Sequence, residues 1–238
     1  MKDNKYLYIL LIFFICLIIG NTFFIKSDST NKDNNISSFN NFDDNCIAHK
    51  PEIIEDVKED VGVNYLENQV GYIKIEGTSV DGAIMQSSDN EFYLSHDNLG
   101  NYYIYGSIYM DYRNNMYDKK ILLFGHNTKG NSNSPLHDLE NYEKFSFYKN
   151  HPYIDIEIDG KKNKWLIFSV MIVSNKTNKH MKLNFSEKEW DSHLNWLING
   201  SIYKTDVEVQ SSDQIITIQT CYYGENDSFI LVSAKKEK

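Results

Sequence analysis

From Val70 onward the chain is a succession of apolar runs no longer than single strands, separated by clusters of Gly, Asn, Asp and Ser. Runs this short leave little room for long helices, so the segments must pair into a sheet that closes on itself or stacks on another. Gly71-Tyr72-Ile73-Lys74-Ile75 and Val207-Glu208-Val209 alternate apolar with polar, as a strand with one wet face does. Trp165-Leu166-Ile167-Phe168-Ser169-Val170 is nearly continuous, as expected of a strand covered on both faces. One helix interrupts the pattern. Ser186 and Glu189 have capping-box spacing, Phe185 and Trp190 occupy the two staple positions, Trp190, Leu194 and Leu197 form one stripe, and Gly200 ends it. That stripe is read as core.

The N-terminal quarter is different in kind. Tyr6 to Ile25 holds twenty uncharged residues, fourteen of them Leu, Ile or Phe, behind Lys2 and Lys5. At about -0.3 to -0.6 kcal/mol each, those fourteen favour insertion by roughly 4 to 8 kcal/mol, enough to absorb a few polar residues. A cleaved signal peptide is the competing reading, but the run outlasts an ordinary signal core and no small-x-small cleavage site follows. The expectation is a cytoplasmic tail at 1–5, a transmembrane signal anchor at 6–25 and a flexible linker at 26–50, rich in Asn, Ser and Asp. A folded extracellular domain at 51–238 follows, opening with a short helix over Pro51 to Glu59. The two lysines ahead of the span, against Lys26 diluted by Asp28 after it, place the N-terminus in the cytoplasm and the domain outside the cell membrane. A net charge of -9 with no block of Lys or Arg argues against a nucleic-acid partner.

Two of the apolar runs end in reactive side chains. Ile121-Leu122-Leu123-Phe124-Gly125 leads to His126, and Ile215-Ile216-Thr217-Ile218-Gln219-Thr220 leads to Cys221. A thiol is a strong nucleophile only as thiolate, and an imidazole within hydrogen-bond reach can take its proton and return it to a leaving amine. Cys16 lies in the apolar span and Cys46 in the linker, so no disulfide framework is implied. For Cys221 taken alone, a bridge to Cys46 and an inert buried thiol are the structural alternatives. The other histidines, at 49, 96, 137, 151, 180 and 193, form no metal-binding spacing with Cys, Asp or Glu, and no metal or cofactor is expected; His137 and His151 read as solvated loop residues.

Taken in order, several stretches resemble the sortases, and within them class B. They are Gly71 to Thr78, Asp89 to Leu94, Gly106 to Asn114, Leu123 to Asn127, Asp206-Val207, and Asp213 to Cys221. The resemblance implies an eight-stranded β-barrel with an N-terminal helix and a helix inserted between strands six and seven. It also implies a cysteine transpeptidase on the outer face of a Gram-positive membrane. Cys221 would attack the carbonyl after the threonine of a C-terminal sorting signal, and His126 would serve as acid and base. The resulting thioester would pass to an amino group of a peptidoglycan precursor. With ordinary pKa values of about 8.5 and 6.5, only about 1% of the pair would be thiolate and imidazolium, so slow turnover is expected.

The resemblance fails at one position: sortases place an arginine on the strand after the cysteine, and Ser228 stands there. Arg113 is the sole arginine in the chain, in a different block. Three readings are open: Ser228 or a nearby tyrosine hydroxyl, helped by the Tyr222 backbone N–H, replaces the donor; Arg113 reaches the site; or the protein is nearly inactive. Peptide contacts implied by the resemblance are Asn90, Leu94, Gln219 and Tyr222. A water-using cysteine hydrolase and a non-catalytic peptide-binding module are the rival function classes.

Overall fold

The computed structural model describes residues 66–225 and 227–238. The anchor, the linker and the Pro51–Glu59 helix expected from the sequence lie outside the described residues. Within them no helix is long and apolar enough to cross a membrane.

Eight strands close into a barrel: β1 (Gln69–Lys74), β2 (Asp81–Met85), β3 (Ile108–Met110), β4 (Lys120–Phe124), β5 (Tyr153–Ile158), β6 (Lys161–Ser174), β7 (Ile215–Tyr222) and β8 (Ser228–Lys236). Around the wall the order is β1-β2-β3-β4-β7-β8-β6-β5, with β5 paired back onto β1. Two pairs are parallel, β2 with β3 and β4 with β7, and the rest are antiparallel. Parallel neighbours require long crossovers. The β4-to-β7 crossover contains β5, β6 and the inserted helix, which is how residues nearly a hundred positions apart become lateral neighbours.

Alternation sorts the strand residues into layers. Ile121 and Leu123 of β4, Ile216 and Ile218 of β7, and Ile230 and Val232 of β8 fill the barrel interior together with Trp165. Their neighbours Leu122 and Phe124 face outward and are buried with Met85, Tyr93 and Tyr109. A strand covered on both faces reads as an unbroken apolar run, as β4 does.

The helix Glu187–Asn199 covers a second outer patch, packing Trp190, Leu194 and Leu197 on Phe168, Met171, Ile215 and Leu231. Each such buried side chain contributes about 1.5–3 kcal/mol. Its start is built as the sequence predicts: the Ser186 backbone N–H donates to Glu189 Oε2 at 2.9 Å, and Phe185 meets Trp190 edge to face at 5.3 Å. Gly200 caps it with an ordinary right-handed backbone, so steric space decides its identity. A Cβ there would lie 2.3 Å from Met171 Cε and 2.9 Å from the Trp196 carbonyl oxygen.

Val207-Glu208-Val209 forms no strand. Val207 and Val209 do turn toward the helix layer, but the β6 edge beyond Leu166 is taken by the loop just before them: the Ile202 N–H donates to the Val170 carbonyl oxygen and the Thr205 hydroxyl to the Phe168 carbonyl oxygen, each at 2.8 Å.

Candidate active site

The last paired positions of β4 and β7 are Phe124 and Gln219. One step further, the Thr220 hydroxyl donates to the Gly125 carbonyl oxygen at 2.8 Å, so the two chains stay side by side as His126 and Cys221 emerge. Ile218 and Tyr222 belong to the interior cluster, and Cys221 alternates with them onto the outer face, where it is half-buried and unbridged. Burial pushes its thiol above the ordinary range.

His126 is anchored from the other side. Its Nε2 lies 2.9 Å from the carbonyl oxygen of Leu94. A carbonyl can only accept, so Nε2 carries the hydrogen and Nδ1 is the proton acceptor of the neutral ring. Leu94 ends the 3-10 turn Phe92–Leu94, which is tied to the residue just before β3 by the Ser107 N–H to Tyr93 O bond of 2.9 Å. Gly106 makes that closeness possible: at φ +59° it takes the left-handed conformation, and a Cβ would stand 2.3 Å from the Tyr93 oxygen.

Beneath the two side chains lies a polar bracket that sequence reasoning missed. Asn127, almost wholly buried, donates through Nδ2 to the Cys221 carbonyl oxygen at 3.1 Å and to Glu140 Oε2 at 2.8 Å. Glu140 Oε1 in turn accepts from the Tyr223 N–H at 3.2 Å, and His137 Nδ1 sits 3.3 Å from Asn127 Oδ1. One carboxylate therefore ties the chain after His126 to the chain after Cys221. His137 is thus engaged in this bracket instead of being solvated, and His151 Nδ1 lies 2.7 Å from the Glu76 carbonyl oxygen. The G-H-N tripeptide marked Asn127 as part of a turn; nothing in the sequence marked Glu140.

The remaining candidates are dispersed. Tyr222 points inward, and its hydroxyl donates to Glu143 at 2.8 Å, a bond that with burial pushes it up to about 12. Gln219 shares the outer face with Cys221 and lies beside the buried His180. Leu94 is 37% exposed. Asn90 accepts the Tyr112 N–H at 2.9 Å and donates to Asp111 at 3.2 Å. Arg113 forms a two-point pair with buried Asp111, at 2.8 and 2.7 Å, and reaches the Met181 carbonyl at 3.1 Å. Burial would raise the Asp111 carboxyl, but the Arg113 and Asn90 hydrogen bonds outweigh it and hold it low.

Ser228 opens β8 opposite Tyr222, one position from the Cys221–Phe229 pair. Tyr109 packs on Phe124 at 5.5 Å in the outer layer, and burial, with Asp111 and then Cys221 nearby adding to it, raises its hydroxyl well above the ordinary range. Among the described residues no group of three His, Cys, Asp or Glu side chains could hold a metal ion.

The chain is 32% identical over 171 residues to sortase B of Staphylococcus aureus, a match that covers 70% of this chain and 69% of that one. It is also 32% identical over 158 residues to sortase B of Listeria monocytogenes, across 65% of this chain and 63% of the relative. The crystal structure of Clostridium perfringens sortase B superposes with a TM-score of 0.68 at 30% identity, covering 72% of this chain and 95% of that one. No protein-family model matches.

Proposed function

The chain belongs to the sortase B family, and from that premise we propose that it cleaves a C-terminal sorting signal after threonine and transfers the protein to an amino group of a peptidoglycan precursor. The observation that carries this reading is the Thr220–Gly125 bond, which brings Cys221 and His126 out on adjacent parallel strand ends with the thiol on the outer face. A Staphylococcus aureus sortase B has been solved as a substrate complex, and a sortase B in complex with triglycine, which supports a peptide donor and an amine acceptor here.

In the first step His126 Nδ1 takes the thiol proton as Cys221 Sγ bonds to the carbonyl carbon after threonine. The carbonyl π pair moves onto oxygen. It returns as the C–N bond breaks, and the imidazolium gives its proton to the departing amine. In the second step the acceptor amine attacks the thioester, loses a proton to His126, and the sulfur leaves as thiolate to be reprotonated. The Tyr222 backbone N–H and a hydroxyl, from Ser228 or Tyr109, would steady the oxyanion. Asn90, Leu94 and Gln219 would line the peptide groove. The apolar run at 6–25 supports placing the enzyme on the outer face of the membrane.

One observation favours a second reading, a peptide-binding module without turnover: Arg113 is engaged by Asp111 and Met181. One experiment separates the two. The full-length chain is incubated with a library of threonine-containing peptides, with and without triglycine, and products and protein masses are measured. Acceptor-dependent product and a peptide adduct on Cys221 are expected, and both vanish in Cys221→Ala. Peptide binding with no adduct on Cys221 would overturn the enzyme.

A further inference from the structure

The segment His180–Lys182 presents three consecutive carbonyl oxygens to two cations. Lys120 Nζ donates to His180 O at 2.6 Å and to Lys182 O at 2.9 Å, and between them Arg113 Nη2 donates to Met181 O at 3.1 Å. Asp111, paired with Arg113 at 2.7 Å, supplies the counter-charge. The Lys182 side chain then binds Glu189 at 2.6 Å, which joins the same segment to the start of the inserted helix.

Lys120 is an unusual residue for this place. It is the first residue of β4, only 2% exposed, and burial lowers its ammonium to about 7, with the nearby Arg113 charge adding to that and Asp111 opposing it. Burying an unpaired charge is costly, and an apolar side chain of similar length generally serves a core better. What the lysine provides is a pair of donors aimed at one stretch of backbone. That stretch borders the site: Met181 and Leu183 pack on the outer layer of Tyr93, Tyr109, Leu122 and Phe124, and His180 lies beside Gln219, two residues before Cys221.

We propose that Lys120, with Arg113, is a positioning residue that fixes the His180–Lys182 segment as one wall of the peptide groove and so sets affinity for the sorting peptide. This rests on the sorting-peptide reading above. It also assigns a task to the chain's sole arginine, which holds the groove wall through backbone and takes no part in the oxyanion site.

The test uses the full-length chain and a quenched fluorogenic peptide chosen from the threonine library by wild-type cleavage. In Lys120→Met the KM is expected to rise about tenfold or more, with kcat within about threefold of wild type, the signature of lost binding that is common to ground and transition states. Lys120→Gln, which keeps an amide donor, falls between. Alkylation of Cys221 by iodoacetamide stays at the wild-type rate in both, because the small reagent does not use the wall. Hydrogen exchange of the 178–184 amides rises in Lys120→Met. A folded variant that keeps the wild-type KM overturns the inference, as does failure of both variants to fold, which would make Lys120 a folding residue. If wild type itself cleaves no peptide, the proposed function fails first, and the two failures are thereby told apart.

Discussion

Asn127 Nδ2 donates to the carbonyl oxygen of Cys221 at 3.1 Å across 94 positions of sequence, and the same nitrogen donates to Glu140. The hydrogen bond sits on the backbone of the proposed nucleophile, so it governs where the sulfur is held. Removing it leaves a buried carbonyl and a carboxylate each short of one donor, a loss of about 1–3 kcal/mol, or roughly 2–12 °C in Tm for a domain of this size. Asn127→Ala is therefore expected to lower kcat at least tenfold with little change in peptide KM, checked by steady-state kinetics below the new Tm. A wild-type kcat would remove the bracket from the mechanism.

Burial raises the Cys221 thiol, so at neutral pH its thiolate fraction is below that of a free cysteine. The rate of iodoacetamide alkylation, followed against pH by mass spectrometry, is expected to rise through a midpoint above the ordinary thiol range of about 8.5. A midpoint at or below that range would contradict the desolvated site.

The two candidate hydroxyls differ in where the strands put them. Alternation along β8 sends Ile230 and Val232 inward with Ser228 in phase, whereas Tyr109 lies in the outer layer on the Cys221 face. Tyr109→Phe is expected to reduce kcat by about 100-fold or more, the usual cost of one oxyanion donor, and Ser228→Ala by less than tenfold. The reverse order, measured on the same peptide, would return the role to Ser228.

Burial, reinforced by the charges of Lys120, His180 and Lys182, lowers His193 to about 3. An unfolded histidine titrates near about 6.5, so between about 6.5 and 3 the unfolded chain binds the extra proton and stability falls as pH falls. Thermal melts should show wild type losing stability between pH 7 and 5 more steeply than His193→Phe, by at most about 1.4 kcal/mol per pH unit. Parallel curves would place the pH dependence elsewhere.

Gly200→Ala inserts a methyl group against Met171 and the Trp196 carbonyl. The thioether can swing aside but the helix backbone cannot. An overpacking cost of about 1–3 kcal/mol is expected by calorimetry, and a variant as stable as wild type would show that the helix end shifts freely.

Much of this architecture is legible in the chain. β4 and β7 read as strands because each is covered on both faces, and the inserted helix is announced by Ser186, Glu189 and the Trp190 stripe, all local signals. Lys120 is not legible: in Asp118-Lys119-Lys120 it looks like a solvated turn charge, and only the folding of residues 180–182 over the strand buries it. Glu140 is hidden for the same reason, since its partners arrive from two other segments. His193 sits between Trp190 and Leu194 and is enclosed by Phe185 and Trp196, a cage that helical spacing alone does not reveal. Val207 to Val209 shows the opposite case, in which a correct local alternation follows a loop whose residues 201–205 already hold the neighbouring β6 edge.

Because β5 returns to β1, every strand has another strand of the wall on each side, and the β6 edge beyond Leu166 is held by residues 201–205. Under the proposed function a client tail would not join this closed wall by strand addition, the route that an open sheet offers. Its main chain would be met by loops and by side chains standing off the barrel, and segments such as 90–94 and 180–183 are where the choice of client would reside.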